Sequence, residues 1–252
     1  MPFKLIAQLS IRNLFRYRRR NGLLLLAIAF ALAGVTVTNA LMRGWQYDML
    51  DRAVENLVGH VKVQASDYRD DPNMLHSFLL PESYIPQLSG VEIAGWAPRI
   101  KVPAVVLSER QSRGVQLVAV DPEREDISFF SELTFAGENL ADAEDGRIVI
   151  GAELARQLQT KVGRKLVVMT QSADGKNRER GFRIAGTFDA DGTSLEKAFA
   201  FTGLAAAQSF LRDQTASETA GLVTEVSFLL AEEPLREVAV SELETVFPDK
   251  DV

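Results

Sequence analysis

Cysteine is absent from the 252 residues. Its absence excludes a disulfide framework, a thiolate metal site, a nucleophilic thiol and a cysteine-borne lipid anchor. Histidine is scarce, with only His60 and His76, which leaves little for a His-based metal centre or a Ser-His-Asp triad. The sequence contains no G-x-x-x-x-G-K-[ST], no G-x-G-x-x-G, no G-x-S-x-G and no H-E-x-x-H. No phosphate loop for ATP hydrolysis is visible, and no catalytic, cofactor-binding or metal-ligating residue is assigned. Basic charge is in deficit, 28 Lys and Arg against 34 Asp and Glu. That is the wrong sign for a surface that wraps nucleic acid. Tandem repeats and low-complexity tracts are lacking as well.

What is present is unevenly distributed. Residues 1–21 carry six basic side chains (Lys4, Arg12, Arg16, Arg18, Arg19 and Arg20) and no acid, leaving 22 bases against 34 acids in the rest. Residues 22–42, GLLLLAIAFALAGVTVTNALM, are free of charge and bounded by Arg20 and Arg43. A helix crosses roughly 30 Å of hydrocarbon in about 20 residues, so this run is expected to span a membrane. Basic residues are retained on the cytoplasmic side, so Arg12, Arg16, Arg18, Arg19 and Arg20 predict an inner N-terminus and place residues 43–252 outside. A second reading stays open: Ala31-Leu32-Ala33 has the small-x-small form of a signal-peptide cleavage site, which would release a secreted soluble domain.

The segments flanking the span are patterned. Phe3, Leu5, Ile6, Leu9, Leu14 and Phe15 recur at helical spacing opposite the arginines, which predicts a basic helix over residues 1–21 lying against membrane lipid. Small residues four apart, Ala27 and Ala31, Ala29 and Ala33, Gly34 and Thr38, suit close approach of another helix. Residues 43–58 keep apolar positions at Trp45, Met49, Leu50, Ala53, Val54 and Leu57, a helical period that predicts a stalk prolonging the span. Trp45 and Tyr47 fall where an interfacial aromatic belt would lie, and Gly59 is expected to stop the helix.

Residues 59–252 read as a mixed, mostly antiparallel α+β domain. Strands are expected at 60–65, 100–107, 115–120, 147–150, 165–169, 182–188 and 223–230, each rich in β-branched or large apolar residues. Helices are expected at 152–159, 203–212 and 235–247, with Pro234 suited to a helix start. Strands and helices intermix without a regular βαβ repeat.

Candidate sites are few. Glu123, Glu125 and Asp126 form an acidic cluster, expected to be a solvated face. His60 is read as a surface residue and His76 as following a turn. Asp189, Asp191 and Glu196 in DADGTSLE have too short a ligand ladder and too early a glycine for a calcium loop, so a turn is expected. Residues 170–181 are polar throughout with Asp-Gly at the centre, predicting a protruding hairpin with its tip at Asp174, Gly175, Lys176 and Asn177. Either it is an ordinary exposed turn or it docks another protein.

Several stretches match a family in order. Ser10-Ile11-Arg12-Asn13-Leu14-Phe15-Arg16 precedes the span. Gly59-His60-Val61-Lys62-Val63-Gln64, Tyr68-Arg69-Asp70-Asp71-Pro72 and Gly114-Val115-Gln116-Leu117-Val118-Ala119-Val120-Asp121-Pro122 follow it. Then come Ile148-Val149-Ile150-Gly151-Ala152-Glu153-Leu154-Ala155, Val162-Gly163 and Ile184-Ala185-Gly186-Thr187-Phe188. Over essentially its whole length the chain resembles the permease subunits of the MacB, FtsX and LolC/LolE group of ABC transporters. The resemblance implies a non-enzymatic subunit of the inner membrane with four spans and a periplasmic core domain between the first two. ATP is bound by a separate cytoplasmic ATPase subunit, whose motion is relayed along stalk helices to the periplasm. Implied partners are that ATPase, a second permease copy or paralogue, and a periplasmic carrier or adaptor received at the hairpin. The implied activity is lipoprotein release or export of envelope lipid. The alternative, in the manner of the FtsX branch, is an envelope scaffold or regulator acting on a cell-wall hydrolase. This sequence has one span where the family has four, so either a partial permease or a single-span protein is expected.

Overall fold

The computed structural model describes residues 17–55, 60–81, 84–190, 194–211 and 221–252, which fall into two units, Met1–Arg52 and Ala53–Val252. A single helix, α1, begins at Arg18 in the first unit and continues unbroken to Glu55, three residues beyond that unit's end. Its 38 residues contain no proline, and at 1.5 Å per residue such a helix measures about 57 Å. The stretch Arg18–Met42 is long and apolar enough to cross a membrane. Its large side chains face outward on every side, Phe30 being 80% exposed and Leu23 72%. A helix hydrophobic all round calls for an apolar surrounding. The Thr36 and Thr38 hydroxyls donate to the Leu32 and Gly34 carbonyls, each at 2.8 Å, so these polar groups need no outside partner. The expected lipid-facing helix before Tyr17 and the expected stop at Gly59 lie outside the described residues.

In chain order the second unit holds β1 (Val61–Ala65), β2 (Phe78–Leu79), β3 (Ile93–Leu107), β4 (Ser112–Val120), β5 (Thr134–Gly137), β6 (Ile148–Gly151), α2 (Ala152–Gln157), β7 (Lys165–Gln171), β8 (Asn177–Asp189), α3 (Leu195–Ala198), β9 (Phe199–Gly203), α4 (Leu204–Leu211), β10 (Leu222–Val223), β11 (Glu225–Leu230), α5 (Arg236–Val246) and β12 (Lys250–Asp251). The long strand β3 is shared by two halves. From Ile93 to Arg99 it pairs with β11, which continues to β1 and β12, all antiparallel. Helix α5 covers this half through Ala239 and Leu243, packed with Val61, Val63 and Phe228.

From Ile100 onward β3 pairs with β4 on one edge and, from Ala104, with β7 on the other. The pairing then runs β4 to β9, β9 to β6, β6 to β8 and β8 back to β7, closing a six-stranded barrel. The β4–β9 and β6–β8 pairings are parallel and the rest antiparallel. Strand β7 alternates strictly, Leu166 and Val168 inward, Val167 and Met169 outward, as one buried face requires. The inward residues join Val102, Val106, Leu117, Ile150 and Phe182 in one cluster. A second cluster, with Phe130, Phe188, Phe199 and Phe201, covers the other face of β4, β6 and β9. The Phe201 ring lies 5.0 Å from that of Phe130 and 5.4 Å from that of Phe188.

Two departures from expectation have physical causes. Strand β3 starts at Ile93, seven residues before the expected 100, and runs through Pro98. Pairing with β4 begins only at Ile100, so the edge of Pro98 facing away from β11 carries no ladder for its missing N–H to break. Strand β9 falls where no element was expected, just before the helix expected at 203–212. Buried on both faces, FAFTG shows no alternation and cannot be told from helix by period. Helix α4 follows it directly, capped by the Ala143 carbonyl, which accepts from the Ala205 and Ala206 N–H groups. The domain is thus α+β and mostly antiparallel, as expected.

Close approach is built in at Gly151, where β6 turns into α2. A Cβ there would stand 1.9 Å from the Glu196 carbonyl oxygen at the start of α3. Gly151→Ala is therefore expected to destabilise the domain by at least the roughly 1–3 kcal/mol typical of overpacking, because the obstacle is backbone. Urea unfolding of the full chain in nonionic detergent measures it.

Candidate functional site

Where β3 changes partners, its two faces are both covered and residues 97–100 are all buried. The second cover is a 3-10 turn, Pro122–Ile127, whose Ile127 side chain reaches within 2.5 Å of where a Cβ on Gly95 would be. Under this cover lies Arg99, fully buried. Its Nε and Nη2 donate to the two carboxylate oxygens of Glu125 at 2.7 and 2.8 Å, and its Nη1 donates to Ser227 Oγ at 3.0 Å. Glu225 Oε1 stands 3.7 Å from the same Nη1. Glu125 also accepts from Ser128 Oγ at 2.5 Å, and Glu225 accepts from Gln64 Nε2 at 3.2 Å. Lys101, two residues along β3, is mostly buried; burial lowers its pKa, partly offset by Glu225.

Burial tends to raise the Glu225 pKa, but Lys101, Arg99, Lys62 and the Gln64 hydrogen bond outweigh it, so the carboxyl sits below its ordinary value. Tyr68 closes the cluster: its hydroxyl donates to the Lys101 carbonyl, and burial, followed by the nearby Glu225 charge, pushes its pKa well up. Every buried polar side-chain atom among the described residues has a partner. Arg99, Glu125 and Glu225 are thus paired out of contact with water, with the partly buried Lys101 and Lys62 adding positive charge beside Glu225. The arrangement holds β1, β3, β11 and the 3-10 turn together; it offers no open face to a substrate. The acidic cluster expected to be solvated is corrected here, because Glu125 is fully buried.

The expected hairpin forms, with Gln171 paired to Asn177 across the β7–β8 turn. It does not protrude. The Ala173 N–H donates to the Leu211 carbonyl at the end of α4, and Ser172 is fully buried. Asp174, with a side chain only 10% exposed, accepts from Ser172 Oγ, from the Lys176 N–H at 3.2 Å and from Arg178 Nη2 at 3.2 Å. These bonds, that to Ser172 foremost, hold its carboxyl far below the ordinary carboxylate range. Gly175 takes φ +75° to close the turn, which glycine adopts without strain. Lys176 and Asn177 are the exposed members. The turn draws its polar groups inward, which tethers it to the domain.

Of the orienting arginines, Arg18, Arg19 and Arg20 form the first turn of α1 as described, and the Arg20 guanidinium lies 5.6 Å from the centre of the Tyr17 ring. Arg12 and Arg16 lie outside the described residues. His60 is half-buried at the start of β1, its Nδ1 accepting from the Leu230 N–H at 3.1 Å. His76 stands 3.6 Å from Asp71. Glu196 is buried and accepts from the Ala190 N–H at 3.1 Å, while Asp191 lies outside the described residues. Among the described residues no group of three His, Asp or Glu is placed to hold a metal ion.

A charge-free span is thus followed by a domain in which one strand joins an antiparallel half to a closed barrel, and residues 22–245 match the family model of the MacB-like periplasmic core domain. The chain belongs to this family. Two solved structures are similar. One is the extracellular domain of the noncanonic ABC-type transporter YknZ from Gram-positive bacteria, 14% identical, covering 75% of this chain and 95% of that chain, with a TM-score of 0.48. The other is a domain of a protein designated a permease from Porphyromonas gingivalis, 17% identical, covering 73% of this chain and 70% of that chain, with a TM-score of 0.37. No match to a curated protein was found. The MacB-like core domain is a component of ABC-transporter permeases, and membership implies an ATPase partner.

Within this MacB-like domain, sequence reasoning missed Arg99, Lys101, Glu125 and Glu225. One signal was available: Arg99 and Lys101 interrupt an otherwise apolar strand, and a charge inside a strand buried on both faces requires a counter-charge.

Two outcomes follow from the buried cluster. Arg99→Ala strands Glu125 and is expected to cost about 3–5 kcal/mol, whereas the Arg99→Met, Glu125→Leu double variant is expected to lose far less, since a buried pair is often replaceable by apolar groups. Urea titration of each variant gives the comparison. Acid should unfold the domain through Glu225. A carboxyl whose pKa folding depresses stabilises the folded state above its unfolded pKa of about 4.3, and that contribution is lost as pH falls through the folded value. The urea midpoint of the wild type is expected to drop between about pH 5 and pH 3, and Glu225→Gln should show a shallower drop.

Proposed function

We propose that this chain is a non-enzymatic permease component that relays the motion of a separate cytoplasmic ATPase to a periplasmic domain. The relayed motion serves lipoprotein release or export of envelope lipid. The observation that carries this reading is the continuity of α1. One helix without a proline runs from Arg18 through the apolar stretch to Glu55, and an unbroken helix transmits displacement along its axis where a flexible linker would absorb it. The N-terminus lies in the cytoplasm and residues 43–252 in the periplasm, in the order 1–21 interfacial helix, 22–42 span, 43–58 stalk and 59–252 core domain. Three arginines in the first described turn of α1 support this orientation. Cations at a helix N-terminus oppose the macrodipole, whereas retention beside an anionic cytoplasmic leaflet favours them. Partners in this reading are the ATPase, a second permease copy or paralogue, and a periplasmic carrier that meets the hairpin at Lys176 and Asn177.

The test is mechanical. In proteoliposomes containing the chain with its ATPase, insertion of four Gly-Ser residues after Met42 is expected to leave ATP hydrolysis running and stop lipoprotein release. Release that survives the insertion would contradict the relay. Absence of both lipoprotein release and lipid export with the native chain would favour the scaffold acting on a cell-wall hydrolase.

A further inference from the structure

At one end of the barrel four cations share a cleft. Residues 108–110 of the β3–β4 turn, Gln159, Thr160, Lys161 and Arg164 after α2, and Lys165 at the head of β7 enclose about 190 Å³. Arg110, Lys161, Arg164 and Lys165 line it, all exposed, with Glu109 the one acid. Among the described residues none of the four cations is in an ion pair. On a chain whose remaining balance is acidic, such a grouping attracts anions.

The backbone that carries these cations is fixed. Gly163, at φ +86°, closes a turn in which the Arg164 N–H donates to the Lys161 carbonyl at 3.2 Å. The Gly163 N–H and Arg164 carbonyl bond Ile184 at 2.8 and 2.9 Å, and Ser108 Oγ donates to the Leu158 carbonyl at 2.7 Å. A site held this way loses little freedom on binding.

The cleft opens onto an apolar shelf. Lys165 belongs to both, since Lys165, Val167 and Met169 share the outward face of β7. Val105 pairs with Met169 and Leu107 with Val167 across the ladder, and Val105, Val167 and Met169 remain about 36–42% exposed. Two of the four residues flanking this block are glycines, Gly114 beside Val105 and Gly181 beside Val167, each with open space where a Cβ would be; the other two are Ser112 beside Leu107 and Glu179 beside Met169. A flat apolar strip is left, with Lys165 and Arg183 paired at the cleft end and Glu179 at the far end. An anionic head is therefore favoured at one end only, and its apolar part has a place to lie.

We propose that this surface binds one anionic, phosphate-bearing lipid, its headgroup in the cleft of Arg110, Lys161, Arg164 and Lys165 and its acyl stem on Val105, Val167 and Met169. A free phosphate needs only the cleft; the adjoining shelf is what favours a lipid. Binding needs neither ATPase nor transport, so its failure is separable from failure of the relay.

Isothermal titration of the full chain in nonionic detergent tests this, with dihexanoyl phosphatidylglycerol, dihexanoyl phosphatidylcholine and inorganic pyrophosphate as probes. The phosphatidylglycerol is expected to bind at least about tenfold tighter than the zwitterionic lipid, and to weaken as salt rises from about 0.1 M to 1 M and the screening length shrinks. Arg110→Glu with Lys165→Glu should lose that binding with an unchanged melting temperature. Val167→Ser with Met169→Ser should weaken phosphatidylglycerol and leave pyrophosphate untouched. Equal binding of the two lipids, or binding indifferent to the charge reversals, would overturn the site. Pyrophosphate binding as tightly as phosphatidylglycerol, insensitive to the shelf variants, would overturn the lipid and leave a free-anion site.

Discussion

A guanidinium with no exposed surface keeps its charge only when its donor edge is filled. Filling the edge of Arg99 brings together segments remote in sequence: Glu125 from the 3-10 turn, Ser227 and Glu225 from β11, and through Glu225 the Gln64 side chain of β1. This happens at the residue where β3 leaves β11 and enters the barrel. The two halves therefore share one strand and one charge cluster. A shift of either half against the other would separate a buried cation from its carboxylate, the kind of change that costs several kcal/mol. Under the proposed relay such a junction has a use, because force applied to one half would otherwise bend the strand that joins them.

Much of the fold was legible because half-buried strands alternate. Residues 165–169 and the start of 182–188 could be read directly, since Leu166, Val168 and Phe182 point in while Lys165, Val167, Met169, Gly181 and Arg183 point out. Strand β9 escaped because the tertiary structure covers both faces, and residues 97–100 of β3 are likewise buried without alternation, erasing the period on which the reading rests. Pro98 is tolerated within β3 because one edge of the strand lacks a partner there. Glu125 was misread for a different reason. A Glu among Glu123 and Asp126 looks like solvated surface, and only the packing of the 3-10 turn onto Gly95 reveals that one of the three points inward.

The hairpin shows the reverse case, in which local sequence signalled a turn correctly but not its packing. Asp174-Gly175 closes the turn, yet Ser172, Asp174 and Arg178 bond one another and Ala173 bonds the end of α4. Polar composition alone does not distinguish a finger reaching into solvent from a turn that satisfies its own polar groups. Besides Lys176 and Asn177 at the hairpin, outward-facing features lie on the β3–β7 face and in the cleft beside it. The charge-free segment, by contrast, was readable from the sequence alone, because about 20 uncharged residues in a row leave few alternatives to a helix in an apolar medium.

The central claim is that the Arg99 cluster makes the β11 half and the barrel open as one unit. Native-state hydrogen exchange on the full chain in detergent tests it most directly, comparing the amides of Val226 and Phe228 in β11 with those of Leu117 and Phe201 in the barrel. The account predicts one common opening free energy for the four, splitting into two in Arg99→Ala. Two separate values already in the wild type would show that the halves open independently and would contradict it.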